Sequence, residues 1–177
     1  MELKHLYEED MDQAISLKLA CWEEELAGKL VWPLKYQNEF SFWKHWRHNE
    51  FEHDDKRTLL GYYQERLLIA TGFCSFAKVI DGGHDAIEIN GLWVKQSHRN
   101  QQLGLSLLYH LITQPAYKAC HYVIVYNHHY APSNDYYKKL NGQVIRVDTQ
   151  CDGKMIVDVF RFDKKDLIAT LKEKLKK

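Results

Sequence analysis

Ile87–Ile112 reads I-E-I-N-G-L-W-V-K-Q-S-H-R-N-Q-Q-L-G-L-S-L-L-Y-H-L-I, and the fold turns on how this stretch divides. Ile87–Val94 is β-branched and apolar, as a strand inside a sheet requires, and Gly91 marks a bulge or a close backbone approach. Leu103, Leu107, Leu108 and Leu111 fall on one face of a 3.6-residue period, so the second half is a helix. The polar turn Lys95–Gln102 joins the two, with Asn100 placed to cap the helix. A strand feeding a helix through a short polar turn aims unpaired N–H groups and a positive dipole end at one point, which suits a phosphate. The same residues also read as a buried strand and a packing helix with no ligand, and on this stretch alone both readings stand.

Outward from this stretch, the chain alternates strand and helix signals. Glu2–Tyr7 predicts a first strand, and Ile15, Leu19, Trp22 and Leu26 predict a helix from Asp10 to about Ala27, ended by Gly28. Trp32-Pro33 marks a break, and Gln37–Asn49 predicts a second helix. The aromatics Trp32, Tyr36, Phe40, Phe42, Trp43, Trp46 and Phe51 read as core, or in part as walls of an acceptor pocket. Thr58–Gln64 and Leu67–Val79 predict a hairpin, followed by the turn Asp81–Asp85. Beyond Gln114-Pro115, His121–Tyr126 predicts a strand deep in the sheet, and Ser133–Leu140 a short helix ended by Asn141-Gly142. Gln143–Gln150 and Lys154–Phe162 close as a strand pair, and the tail from Asp163 is a basic helix. That order makes an α+β fold in a single domain over residues 1–177, with a mixed sheet and no linker.

Twenty-four basic side chains balance 24 acidic ones, so no basic excess marks a general nucleic-acid or membrane-surface binder. No apolar run approaches the roughly 20 residues of a membrane span, and MELKHLYEED lacks the apolar core of a signal peptide. The four cysteines form no C-x-x-C pair, so reduced thiols and a cytoplasmic location are expected. His45, His48 and His53 lie close together, but no cysteine or carboxylate set completes a metal shell, and no metal is expected.

Taken with this order of elements, two local motifs resemble those of the GNAT superfamily of acyl-CoA-dependent N-acyltransferases. The family's turn after its fourth strand, Gln/Arg-x-x-Gly-x-Gly/Ala, is met by Arg99-Asn100-Gln101-Gln102-Leu103-Gly104, with Gln102 in place of the middle glycine. The family's Tyr-x-x-x-Gly-Phe is approached by Tyr137-Lys138-Lys139-Leu140-Asn141-Gly142, with Asn141 at the glycine position and Gly142 at the aromatic one. An asparagine that family members often carry seven residues before this tyrosine is Tyr130 here, which leaves Asn127 and Asn134 as candidates for the pantetheine arm.

The resemblance implies a GNAT-like sheet, mostly antiparallel and flanked by helices, and acetyl-CoA as cosubstrate with an amine as acceptor. Backbone groups of Asn100, Gln101, Gln102, Leu103, Gly104 and Leu105 would hold the pyrophosphate, with Arg99 adding a charged contact or serving only as an exposed cation. Leu92, Trp93 and Val94 would contact the carbonyl and pantetheine, provided the strand splays from its neighbour. Tyr137 would protonate the leaving thiolate, unless it is a core tyrosine, while Tyr136 points about 100° away around the helix. Glu88, eleven residues before Arg99, matches the catalytic glutamate of some histone-acetylating members, with water chains, His128 or His129 as rivals. Glu23–Glu25 and Glu50, Glu52, Asp54 and Asp55 would draw a cationic amine or merely face solvent. The acceptor is expected to be a small-molecule primary amine attacked in a ternary complex. Alternatives are a protein N-terminus or lysine as acceptor, a non-catalytic acyl-CoA-binding module, and, distantly, a metal-dependent enzyme using the histidines. A homodimer is implied by the family alone.

Overall fold

A computed structural model describes residues 1–29, 34–53 and 55–176. The Trp32-Pro33 break and Asp54 lie outside the described residues. Strand β1 (Glu2–His5) leads through a 3-10 turn into helix α1 (Met11–Leu26), followed by α2 (Tyr36–His48) and the four-residue α3 (Glu50–His53). Next come β2 (Thr58–Gln64), β3 (Leu67–Phe76), β4 (Ala86–Val94), α4 (Leu103–Ile112) and β5 (Tyr122–His128). The chain closes with α5 (Asn134–Lys138), β6 (Gln143–Gln150), β7 (Met155–Asp163) and α6 (Lys164–Leu175).

Several boundaries differ from the sequence reading; β1, for one, ends at His5 and α5 at Lys138. β3 stops at Phe76: beyond the Ala77 N–H bond to the Ala86 carbonyl, the Lys78 carbonyl accepts from the Asp81 and Gly83 N–H groups, so Val79–Asp81 is a 3-10 turn and not strand. β5 runs on to His128, paired with Val157 of β7. α3 was not expected; its four residues follow α2 with only Asn49 between.

The seven strands lie in the order β1-β2-β3-β4-β5-β7-β6, with β4 and β5 parallel and every other pair antiparallel. The mixed, mostly antiparallel sheet expected from the sequence is therefore present. Alternation along β4 sends Ile87 and Ile89 to one face, where they meet Leu107, Leu108 and Leu111 of α4 and Leu171 of α6. Each such side chain contributes roughly 1.5–3 kcal/mol on burial. The opposite face carries Phe73 and Leu59 against Ile15 of α1 and Trp43 of α2.

Where β4 and β5 meet, the sheet opens. They pair only over Ala86–Ile89 and Tyr122–Val125. Beyond that, β4 stays with β3 as far as Val94, and β5 stays with β7 as far as His128. The cause sits in the register of β3 on β4: Phe73 faces Gly91 and Cys74 faces Ile89, leaving Asn90 as a bulge. A bulge bends its strand and adds local twist, and here β4 leaves β5 at that residue.

Candidate active site

The opening between β4 and β5 leads into a cavity of about 540 Å³. Its floor is β4 from Glu88 to Trp93 and β5 from Val125 to His128; α1 supplies Lys18, Cys21, Trp22 and Glu25, and α2 supplies Trp43 and Trp46. Past Ile89 and Val125 the facing strand edges no longer bond each other; on that side the Val94 carbonyl accepts from Arg99 and from the Cys21 thiol, which leaves the Val94 N–H and the backbone of Leu92 facing the opening. The expected splay is thus a feature of this chain.

The polar turn after β4 carries two left-handed residues, Asn100 (φ 61°) and Gln102 (φ 62°). Asn100 does not cap α4: the N-cap is Gln102, and no side chain accepts from the helix start. The reason is geometric, since the chain reverses twice between Arg99 and Leu103 and sets Asn100 two residues too early. The first intrahelical bond runs from Ser106 N–H to the Gln102 carbonyl, which leaves Leu103, Gly104 and Leu105 N–H ahead of the ladder. A left-handed backbone also explains the family's preference for glycine at Gln102, since an ordinary residue there costs about 1–2 kcal/mol. The Gln102 side chain turns away from the turn and donates to the Lys174 carbonyl at the end of α6.

Gly104 is not demanded by packing, because a Cβ there would meet its nearest neighbours, the Tyr136 hydroxyl and Val94, at an ordinary 3.7 Å. That Tyr136 hydroxyl is enclosed and has no partner among the described residues. Burial pushes its pKa well up, so it stays a proton-bearing donor. Uncapped N–H groups beside an unpaired phenol fit an acidic, polar ligand at the start of α4. Arg99 donates to the Val94 carbonyl at 3.2 Å and to Glu24 at 2.7 Å, tying the turn to α1.

Tyr137 is buried, lines the cavity, and rests on Phe160 and Phe162 at ring distances of 5.5 and 6.4 Å. Its hydroxyl bonds no described residue, and burial, aided by the charge of Glu25, raises its pKa far enough to keep it protonated. Glu88 lines the same cavity and accepts from Asn90 Nδ2 at 3.1 Å. Desolvation raises its pKa above the ordinary carboxylate value, with the Lys78 charge opposing.

Asn127 and Asn134, both candidates from the sequence, sit differently. Asn127 lines the cavity and donates to Ser133 Oγ at 3.0 Å and Asn134 Oδ1 at 2.7 Å. Asn134 is buried outside the lining, with its amide N–H groups on the carbonyls of His128 and His129. It holds the loop after β5. His128 lines the cavity edge-on to Trp22; its Nδ1 accepts from the Tyr130 N–H, and burial lowers its pKa. His129 is drawn aside by Asp158 at 2.7 Å. Among the described residues no three His, Cys, Asp or Glu side chains gather as a metal site.

Three of the acidic residues read as an amine attractant are committed elsewhere. Glu24 pairs with Arg99, Glu50 with Arg47 and Lys56, and Asp55 with Arg57. Sequence reasoning missed the wall that α1 provides. Lys18, Trp22 and Glu25 follow Ile15 at spacings of three, four and three, so two charged residues sit on the helix's apolar stripe. A charge on that stripe was the available signal.

A sequence model of the acetyltransferase (GNAT) family matches residues 6–142. A search of curated proteins found no match. Among solved structures, the chain is similar to the PaiA N-acetyltransferase of Thermoplasma acidophilum in complex with coenzyme A, at 17% identity and TM-score 0.63, covering 92% of this chain and 98% of that one. It is likewise similar to an aminoglycoside 6'-acetyltransferase type Ii, at 17% identity and TM-score 0.64, covering 93% and 97%. An N-acetyltransferase of Staphylococcus aureus Mu50 matches at 12% identity and TM-score 0.63 over 92% and 98%. At such identities these likenesses establish the fold, and the family match establishes descent: the chain belongs to the acetyltransferase (GNAT) family.

Proposed function

We propose that the protein transfers an acetyl group from acetyl-CoA to a primary amine of a small molecule, by direct attack in a ternary complex. The observation that carries this reading is the parting of β4 from β5 beyond Ile89 and Val125, with the cavity across it. Leu103, Gly104 and Leu105 N–H, with Asn100–Gln102 shaping the turn, hold the pyrophosphate at the start of α4. Arg99 contributes by fixing that turn to α1. Leu92 and Val94, on either side of Trp93, offer backbone groups to the pantetheine and to the thioester oxygen, where a preorganised N–H stabilises the developing oxyanion. Asn127 borders the pantetheine arm, and Asn134 holds Asn127 in place.

The amine nitrogen attacks the thioester carbon, its proton passes to Glu88 directly or through a water, and the C–S bond breaks. Tyr137 gives its proton to the departing thiolate. Burial suits both roles, since it keeps the phenol protonated and makes the carboxylate a stronger base. Soluble acetyl-CoA and an amine library, read by thiol release, test the reading. CoA binding without turnover on any amine would leave a binding module instead.

Glu88 makes a separate prediction. Only its deprotonated form accepts a proton, and its pKa is raised, so kcat should climb with pH through a midpoint above that of an ordinary glutamate. Glu88→Gln should flatten this limb and lower kcat by about 10²-fold. An unchanged pH profile in the variant would assign proton removal to water alone.

A further inference from the structure

Beyond Glu88, three parts of the cavity wall offer groups that ordinarily bind cations and already hold a cation of the protein. The Lys18 ammonium pairs with Glu39 and lies over the rings of Trp43 and Trp93, at 5.0 and 5.6 Å. The Arg57 guanidinium pairs with Asp55 at 2.8 Å and covers Trp46 at 4.8 Å. Tyr126 carries the Lys78 ammonium 4.2 Å above its ring, and its hydroxyl bonds Asp81 and Arg146. A π face or carboxylate so occupied has little left to offer a second cation. Glu25 also borders the cavity, but at the Tyr137 end, where Ser133 Oγ donates to it at 2.8 Å.

Of the three cations on this wall, Lys78 differs from Lys18 and Arg57. Among the described residues it has no carboxylate within ion-pair distance, and it is exposed at the cavity mouth while acting on Glu88 by its charge. An ammonium held on an aromatic face beside the proposed base is placed to take an anionic group. We propose that the acceptor is an amine that also bears a carboxylate, an amino acid in the broad sense. Lys78 holds the carboxylate at the mouth while the amine lies at Glu88, and polycationic acceptors are disfavoured. The inference rests on the acetyltransferase reading above and names the substrate class for the same site.

The test compares kcat/KM, at low ionic strength and saturating acetyl-CoA, for a panel of amino acids, each beside its decarboxylated amine, and for spermidine. The carboxylate should improve kcat/KM by about fivefold, the scale of one partly exposed ion pair. Lys78→Met should bring that ratio near one by raising KM for the amino acids, and Lys78→Arg should keep it. Spermidine as the best acceptor, or a ratio untouched in Lys78→Met, overturns the proposal. With the protein saturated in CoA, tryptophan fluorescence gives the same comparison without turnover, since Trp22, Trp43, Trp46 and Trp93 border the cavity. The proposal requires amino acids to bind more tightly than their decarboxylated amines, and the reverse order overturns it. Failure of acetyl-CoA itself to bind would strike the acetyltransferase reading instead.

Discussion

Tyr137→Phe is expected to lower kcat by about 10²–10³-fold with little change in stability or in acetyl-CoA affinity. The ring would keep its contacts with Phe160 and Phe162, because those are made by carbon atoms. The hydroxyl forms no hydrogen bond to a described residue, so its removal breaks nothing in the resting protein and relieves a poorly solvated group. What goes is the proton for the thiolate. Steady-state kinetics with thermal unfolding of both proteins decides it. A variant that turns over within twofold of the parent would make Tyr137 a packing residue.

Gly91→Ala should destabilise the fold by about 1–3 kcal/mol, although a single methyl is added on a strand. A Cβ at Gly91 would lie 2.0 Å from the Trp93 ring, far inside contact distance. The indole cannot simply swing aside. It stands edge-on to Phe73 at 5.4 Å and Trp43 at 6.1 Å, with Lys18 over its face. Overpacking here also moves the wall of the cavity, so KM for the amine should rise along with the loss of stability. Denaturant midpoints measured with and without Trp93→Leu separate the causes. The cost should largely vanish in the Trp93→Leu background; an equal cost in both would place the strain in the backbone.

Much of the frame was legible because its signals are local. The apolar period of Leu103–Leu111 is a helix face on the core, and the run Tyr122–Val125 is a strand buried between neighbours, as read. The turn between β4 and α4 was found but its cap was misplaced. Asn100 and Gln102 are both left-handed, and no pattern of residue types announces two reversals in a row. The parting of β4 from β5 was only permitted by Gly91, since it depends on a bulge at Asn90 that is defined against β3. The acceptor wall was harder still. Lys18, Arg57 and Lys78 come from α1, the approach to β2 and the loop after β3, and their shared cavity is a product of tertiary packing.

Amide hydrogen exchange with and without acetyl-CoA tests most directly whether the cosubstrate lies across the split sheet. Exchange is slowed where a ligand holds backbone N–H groups or suppresses local opening. Protection is expected at Leu92–Val94 on β4 and at Gln101–Leu105 at the start of α4, with little change in β1, β2 or β6. No protection at saturating acetyl-CoA, or protection confined to another part of the molecule, would contradict a cosubstrate held between β4 and β5.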